Sequence, residues 1–396
     1  MKKTSKTYGK YIILIVVICL IAVWGFRMLQ KGRADGQDQG GLVVSDALKG
    51  SGDKEDATAA AAVTEEPRQT AEPEVSETPQ QTDPAKNEDG YAQLISHEKM
   101  KLYDDTGTVM VGDTGYEIYN YVPSVASNYA KAINKAGKAI GNTAKVYDVF
   151  IPTSVGITLP DNKKDKVNSS DQKDSINKLT KKIKAPVQTI SLYDVMMQHR
   201  QEYIYYRTDH HWTHKGAYYG YVGIFQALGL TPHALSEYKK ANFGGFIGTY
   251  YSDTHQNNKL RKDSVAAYYP VNNKKITLQY GDKSKKKYKV IQDSSKFGIS
   301  GKYLAFLGGD NAYSVVENKA VKDGSSCVVV KESFGNALVP YLADHYSKVY
   351  VIDYRYWNGS LSKLVKKKKA KDVFFLNNIS MTRNAYLVGK LAGIAS

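Results

Sequence analysis

Cysteine is almost missing from this chain: Cys19 and Cys327 are the two in 396 residues. Two thiols cannot build a disulfide framework. One of them lies in an N-terminal apolar run, which also excludes a Cys-rich zinc site. Long hydrophobic runs are scarce, and this excludes a multi-span membrane protein. Acid is in deficit, with 39 Asp and Glu against 55 Lys and Arg, for a formal net charge of +16. Trp and Phe are few, at 3 and 10, whereas Tyr reaches 31. Apolar residues still make up 42%, enough for a sizeable core and too many for a disordered tail protein.

The charge is segregated. Residues 1–30 carry five basic groups and no acid. Residues 31–90 carry six basic and fourteen acidic groups, leaving 91–396 at +19. A field of that sign favours anionic partners such as wall polymers, lipid head groups or nucleic acid, or simply serves solubility.

Tyr11–Phe26 is a run of sixteen uncharged residues between Lys2, Lys3, Lys6, Lys10 and Arg27. It is intermediate in length between a signal-peptide core and a spanning helix, and no small-residue cleavage site follows it. We expect residues 1–31 to be a cytoplasmic tail and an uncleaved signal anchor, the N-terminal membrane anchor helix. The lysines keep the tail inside by the positive-inside rule. Residues 32–90 have the acidic, Pro- and Ser-containing composition of a disordered linker. Such a linker would span roughly 40 Å on average.

Residues 91–396 alternate strand and helix signals. A hairpin is predicted over 101–111, with a turn at Asp104-Asp105-Thr106-Gly107. Helical spacing runs over 125–140, with Gly137 on the apolar face. Strands are predicted at 145–151, 187–191, 327–330, 348–353 and 372–376, with helices at 171–183, 192–200 and 213–228. Residues 232–301 break the rhythm and read as a β-rich insertion. The alternation implies an α/β fold with a mostly parallel sheet, whose sites gather at the carboxyl ends of the strands.

Three segments carry polar chemistry. In Thr208-Asp209-His210-His211-Trp212-Thr213-His214, a carboxylate two residues before an imidazole can orient it as a general base. Trp212 can wall such a site, and Thr213 can cap the next helix. A surface patch is the plain alternative. A metal pair at His210 and His214 has the right spacing, but no further Cys/His cluster supports it. In Val330-Lys331-Glu332-Ser333-Phe334-Gly335, an apolar strand delivers a serine to a helix start. There it is either a nucleophile beside free N–H groups or an ordinary N-cap. Asn377 and Asn378 end a central strand, as oxyanion donors or turn residues. Arg355 can contact substrate or pair with Asp353. Lys285–Lys287 and Lys366–Lys369 lack a nucleic-acid-binding motif and read as solvated loops.

The T-D-H-H-W-T-x-x-G-A run, followed by K-E-S-F-G-N-A, resembles the DHHW family of bacterial cell-envelope proteins. That family looks like a branch of the SGNH hydrolase-like superfamily and is similar to alginate O-acetylation acetyltransferases. The resemblance implies a three-layer α/β/α SGNH-like (flavodoxin-like) domain at 91–396, without a cofactor. It implies Ser333 as nucleophile, His211 as base and Asp209 as acid, with Asn377 as oxyanion donor and Asn378 as a neighbouring candidate. Tyr354 and Arg355 stand where the superfamily has its glycine block, and K-E-S-F replaces G-D-S. The implied activity is extracytoplasmic O-acyl transfer, with acetyl as the acyl group, to a cell-envelope polysaccharide. The acyl donor would come from a membrane acyltransferase. An esterase with the same triad and a non-catalytic glycan-binding or assembly protein stay open. His211 rather than His210 is expected as base, because side-chain alternation in an extended segment puts Asp209 and His211 on one side.

Overall fold

The structure, a computed structural model, describes residues 99–396. The expected anchor and the whole of the expected linker lie outside the described residues. No helix within them is long and apolar enough to cross a membrane.

The described residues begin with a three-stranded antiparallel sheet of β1 (Met100–Tyr103), β2 (Thr108–Val111) and β3 (Thr114–Glu117). Helix α1 (Pro123–Ile140) follows, then β4 (Lys145–Ile151), α2 (Gln172–Thr180), β5 (Val187–Ser191), α3 (Tyr193–Gln198) and α4 (His214–Ala227). Strands β6 (Lys239–Phe246), β7 (Asp263–Tyr269), β8 (Ile276–Tyr280) and β9 (Tyr313–Asn318) come next. The chain ends with β10 (Ser326–Lys331), α5 (Phe334–Leu342), β11 (Lys348–Asp353), α6 (Leu361–Lys368), β12 (Asp372–Asn378) and α7 (Ala385–Ile394).

Seven strands form the main sheet in the order β5-β4-β12-β10-β11-β9-β8. Only β9 runs against the others. The central strands are buried on both faces, which is why Cys327-Val328-Val329-Val330 reads as a continuous apolar run rather than an alternating one. Helices α1, α6 and α7 pack together on one face, and α4 and α5 pack together on the other. The architecture is therefore mixed α/β around a large, mostly parallel sheet.

Helix α1 shows how sequence dictates the packing. Proline at its first turn needs no N–H partner, and apolar residues recur at helical spacing from Val125 to Ile140. At Gly137 a Cβ would lie 2.3 Å from Val187 Cγ2, so the glycine lets the helix close onto β5.

The segment 232–301 differs from a self-contained insertion. Strands β6 and β7 pair with each other, with a bulge between Asn242 and Gly245, whereas β8 becomes an edge of the main sheet. Hydrophobic pattern alone assigns no strand to a sheet, since that choice rests on pairing across distant segments.

Candidate active site

Tyr205 and Trp212 face each other in an antiparallel bridge. Tyr206 N–H donates to the His211 carbonyl at 3.2 Å, and Thr213 N–H to the Ile204 carbonyl at 2.9 Å. Residues 207–210 form the tip of this loop. Asp263, at the start of β7, holds the tip from below. Its carboxylate accepts from Arg207 N–H at 2.9 Å, from Thr208 N–H at 2.7 Å, and from the hydroxyls of Thr208 and Tyr203. After the loop, the Thr213 hydroxyl accepts from Gly216 N–H at 3.1 Å and caps α4.

Within the tip, Asp209 Oδ1 accepts from His211 N–H at 3.0 Å and lies 2.6 Å from His211 Nδ1. Its Oδ2 accepts from Thr249 N–H at 3.1 Å. A Cβ on Gly248 would lie 2.2 Å from Asp209, so only glycine admits the backbone this close. Burial alone would raise the Asp209 pKa, but the imidazoles of His211 and His210 and the hydrogen bonds from His211 outweigh it. The carboxyl is held well below its ordinary range.

His211 Nε2 lies 2.7 Å from Ser333 Oγ. With Nδ1–H directed at Asp209, Nε2 is the nitrogen that accepts the serine proton. Asp209, His211 and Ser333 are thus brought into one hydrogen-bonded line. Ser333 is the first residue of the turn into α5, yet its side chain makes no capping hydrogen bond. The cap comes from Glu332, whose Oε2 accepts from Phe334 N–H at 3.0 Å. The same carboxylate takes Asn378 N–H at 3.0 Å on Oε1, and Oε2 lies 3.4 Å from Ser333 Oγ.

Aromatic groups fix this line in place. Trp212 is fully buried, and its Nε1–H donates to the Phe334 carbonyl at 3.0 Å, which ties the His loop to the start of α5. The Tyr303 ring stacks on His211 at 4.1 Å, and its hydroxyl donates to the Ser333 carbonyl at 3.2 Å.

Other expected site residues are placed differently. Asn377 Nδ2 donates to the Tyr129 hydroxyl at 3.1 Å, which donates to Asp148 at 2.6 Å. Asn377 therefore faces the layer of α1, while Ser333 begins a helix of the opposite layer. Strand alternation at the end of β12 causes this, and the role expected of Asn377 as oxyanion donor is corrected accordingly. Asn378 comes nearer through its backbone contact with Glu332, but its side chain accepts from Ser380 N–H at 2.9 Å. Arg355 is paired with Asp353 through Nε at 2.9 Å and a terminal nitrogen at 2.7 Å, and with Asp310 at 2.8 Å. Lys331 joins the same two carboxylates at 2.8 and 3.1 Å, and Asn336 Nδ2 donates to Asp310 at 2.8 Å. Burial would raise the Asp310 pKa, but Lys331 and Arg355 lower it well below the ordinary range. This buried ion cluster braces the first turn of α5 from the β10–β11 side. Tyr354 is fully buried beside it in the chain.

Side-chain alternation does not explain the choice of histidine. The tip is a bend rather than a strand, and the rings of His210 and His211 lie 3.9 Å apart. The hydrogen bond that the His211 backbone N–H donates to Asp209 Oδ1, at 3.0 Å, selects the residue instead, as in an Asx turn. His210 Nδ1 meets the Thr249 hydroxyl at 3.0 Å. Asp209, His210 and His211 offer ligand atoms within 4.8 Å of one another, but the Asp209–His211 bond already uses one pair of them. His214 turns away into the core, stacked on Phe306 and Tyr341, and its Nδ1 accepts from Tyr268 N–H at 2.8 Å. Burial pushes its pKa down to about 3, so it stays neutral. The spacing of His210 and His214 therefore forms no metal pair.

Three supporting groups escape sequence reasoning: Glu332, Asp263 and Tyr303. Glu332 had a signal, since an acid directly precedes the serine at the strand end. The other two come from distant segments without a motif.

The model of the DHHW protein family matches residues 88–352, more than half of the chain. A DHHW family protein from Eubacterium siraeum is 28% identical, with a TM-score of 0.65, over 72% of this chain and 95% of that one. PatB1 from Bacillus cereus is 19% identical in two structures, one of them with a sulfonyl adduct. Those two give TM-scores of 0.57 and 0.56, over 72% of this chain and 96% and 97% of theirs. No curated protein matches the chain. By the extent of the family match, which takes in both the His loop and the serine turn, this chain belongs to the DHHW protein family.

Proposed function

We propose that this protein is a serine-dependent O-acyltransferase, with acetyl as the acyl group and a cell-envelope polysaccharide as acceptor. One observation carries the reading: Asp209, His211 and Ser333 form a continuous relay with separations of 2.6 and 2.7 Å. A serine engaged only as a helix cap would turn its oxygen to a backbone N–H; here Glu332 takes that place. Asp209 fixes the tautomer of His211 and stabilises its protonated form. His211 removes the Ser333 proton, and Ser333 Oγ attacks the acyl carbonyl of an ester donor. The Ser333 backbone N–H, at the start of α5, donates to the oxyanion. His211 then gives its proton to the departing alcohol. A sugar hydroxyl, deprotonated by His211, attacks the acyl-enzyme and releases Ser333.

The resemblance of the D-H-H-W run to the Asp-x-His-Trp motif of alginate acetyltransferases, placed before the serine motif as there, favours a sugar over water as acceptor. The Asp209–His211–Ser333 line, at the end of a mostly parallel sheet with helices on both faces, supports a three-layer α/β/α, SGNH-like reading of the fold. The charged N-terminal segment and apolar run support an extracytoplasmic, membrane-anchored setting, with the acyl donor supplied by a membrane acyltransferase. The test is a paired assay of an activated acetyl ester with and without wall glycan. Acyl-enzyme on Ser333 that transfers to the glycan faster than to water is expected. Turnover to free acetate alone makes the protein an esterase. No acylation of Ser333 leaves a glycan-binding protein.

A further inference from the structure

Tyr303 touches both halves of the relay at once. Its ring stacks on His211 with centroids 4.1 Å apart and planes 18° from parallel. Its hydroxyl donates to the Ser333 carbonyl at 3.2 Å. The residue comes from a single 3₁₀ turn, Lys302–Ala305, remote in sequence from the His loop and outside the serine turn.

The ring is clamped by aromatic edges. Tyr206 meets it at 6.2 Å and 87°, and Phe306 at 5.2 Å and 72°. The turn beneath is tied down by Lys302, whose Nζ donates to the Ser294 carbonyl at 2.8 Å. In return, the Ser294 hydroxyl donates to the Lys302 carbonyl at 3.0 Å. Burial pushes the pKa of the Tyr303 hydroxyl well above its ordinary value, so it stays a neutral donor.

These contacts bear on the charge that His211 acquires. On taking the Ser333 proton it becomes an imidazolium, and both His211 and Tyr303 are buried, so water solvates that charge poorly. Asp209 meets it at the Nδ1 edge. The rings of Tyr303 and His210 lie 4.1 and 3.9 Å from His211, too close to share one face, and so cover opposite faces. Of these two, the phenol is the neutral, electron-rich ring, and its negative π face attracts a cation.

We propose that Tyr303 is a positioning residue for acyl transfer, whose ring face stabilises protonated His211 while the hydroxyl bond to Ser333 fixes the ring there. The proposal rests on His211 as general base and adds the group that meets its charge from the ring face. Further charged or titratable groups around His211 are Asp209, His210, Glu332 across Ser333 Oγ, Asp263 behind the loop and Asp310 beside α5. Substitutions confined to the Tyr303 ring leave each of them in place.

The test is titration of His211 by NMR in the full chain, without ester or glycan, the labelled imidazole being assigned through His211→Gln. Tyr303→Phe keeps the ring face and should hold the His211 protonation constant within about twofold. Trifluorophenylalanine in place of Tyr303 keeps the shape of that ring but withdraws its π charge. It should lower the constant roughly threefold or more relative to Tyr303→Phe, moving the titration to lower pH. Tyr303→Leu should lower it at least as much. Burst-phase acylation of Ser333 should fall by a similar factor between the two ring variants. Equal titrations in those two, at equal unfolding temperature, would make Tyr303 a packing residue only and overturn the proposal. So would a folded Tyr303→Leu that titrates like the parent. The two ring variants share one shape, so they decide the question even where Tyr303→Leu does not fold. A responsive His211 in a protein that never acylates Ser333 would sink the acyltransferase reading and leave the ring contact standing. An unresponsive His211 in a protein that does acylate would sink this proposal alone.

Discussion

His211 Nε2 and Ser333 Oγ meet at 2.7 Å although 122 positions separate them in the chain. The contact exists because β10 delivers Ser333 to the start of α5, while Trp212 pins the His loop to the next carbonyl, that of Phe334. Each half is a local motif, and the joint between them includes the indole hydrogen bond, the stacked ring of Tyr303 and the Tyr341 hydroxyl, which donates to the His214 carbonyl at 3.0 Å.

Substitution of the paired residues tests the relay. His211→Ala and Ser333→Ala should each abolish burst-phase acylation by an activated ester, a loss on the order of 10³-fold or more. His210→Ala should retain most of the rate, since its Nδ1 contact is with Thr249. An inactive His210→Ala beside an active His211→Ala would reverse the assignment.

Glu332 acts through the placement of Ser333. Glu332→Ala strands the Phe334 and Asn378 N–H groups, at about 1–3 kcal/mol for each buried donor left unsatisfied. Glu332→Gln keeps one carbonyl acceptor and should recover part of the stability. Urea unfolding of both variants, beside single-turnover acylation, checks this. A stable, fully active Glu332→Ala would remove the carboxylate from the account.

The ion cluster separates two roles for Arg355. Asp353→Ala leaves buried Lys331 and Arg355 short of a partner and should destabilise by about 3–5 kcal/mol. Arg355→Ala should likewise lower the unfolding midpoint. If it leaves stability intact and raises only the KM for glycan, Arg355 is a substrate contact and not a brace.

Asp148 predicts a pH dependence of stability. Burial raises its pKa from 3.8 to about 7, against a smaller opposing effect of its bond from Tyr129. The folded pKa lies above the unfolded one, so the neutral acid favours folding. Its contribution is complete below about pH 4 and is lost as pH rises towards 7, an effect of at most about 4 kcal/mol. Asp148→Asn should flatten that fall. Urea midpoints at pH 4.5 and 8 measure it, and an equal slope in both proteins would contradict it.

The helices and parallel strands were legible because each is a local pattern. Val125–Ile140 repeats at helical spacing, and Cys327–Val330 is an uninterrupted apolar strand. The edge strand β8 and its neighbour β9 were not, because Tyr313–Asn318 alternates in burial without a matching alternation of apolar and polar residue types, and it gains its identity from the strands on either side. Asp209, His211 and Ser333 could be named from short runs and their resemblance. Asn377 was read from its place at a strand end, and its side chain turned to the other layer.

The sequence by itself determined the α/β alternation, the His loop and the strand-end serine as two separate local motifs, and the basic character of residues 91–396. Each of these is carried by neighbours in the chain, through periodicity, motif spacing and composition. Tertiary structure alone decided that Glu332, not Ser333, caps α5, and that Asp263 of β7 holds the loop carrying Asp209. It also decided that the Tyr303 ring lies against His211. Those outcomes depend on which distant segments pack together, and a buried polar group must take whatever partner that packing supplies.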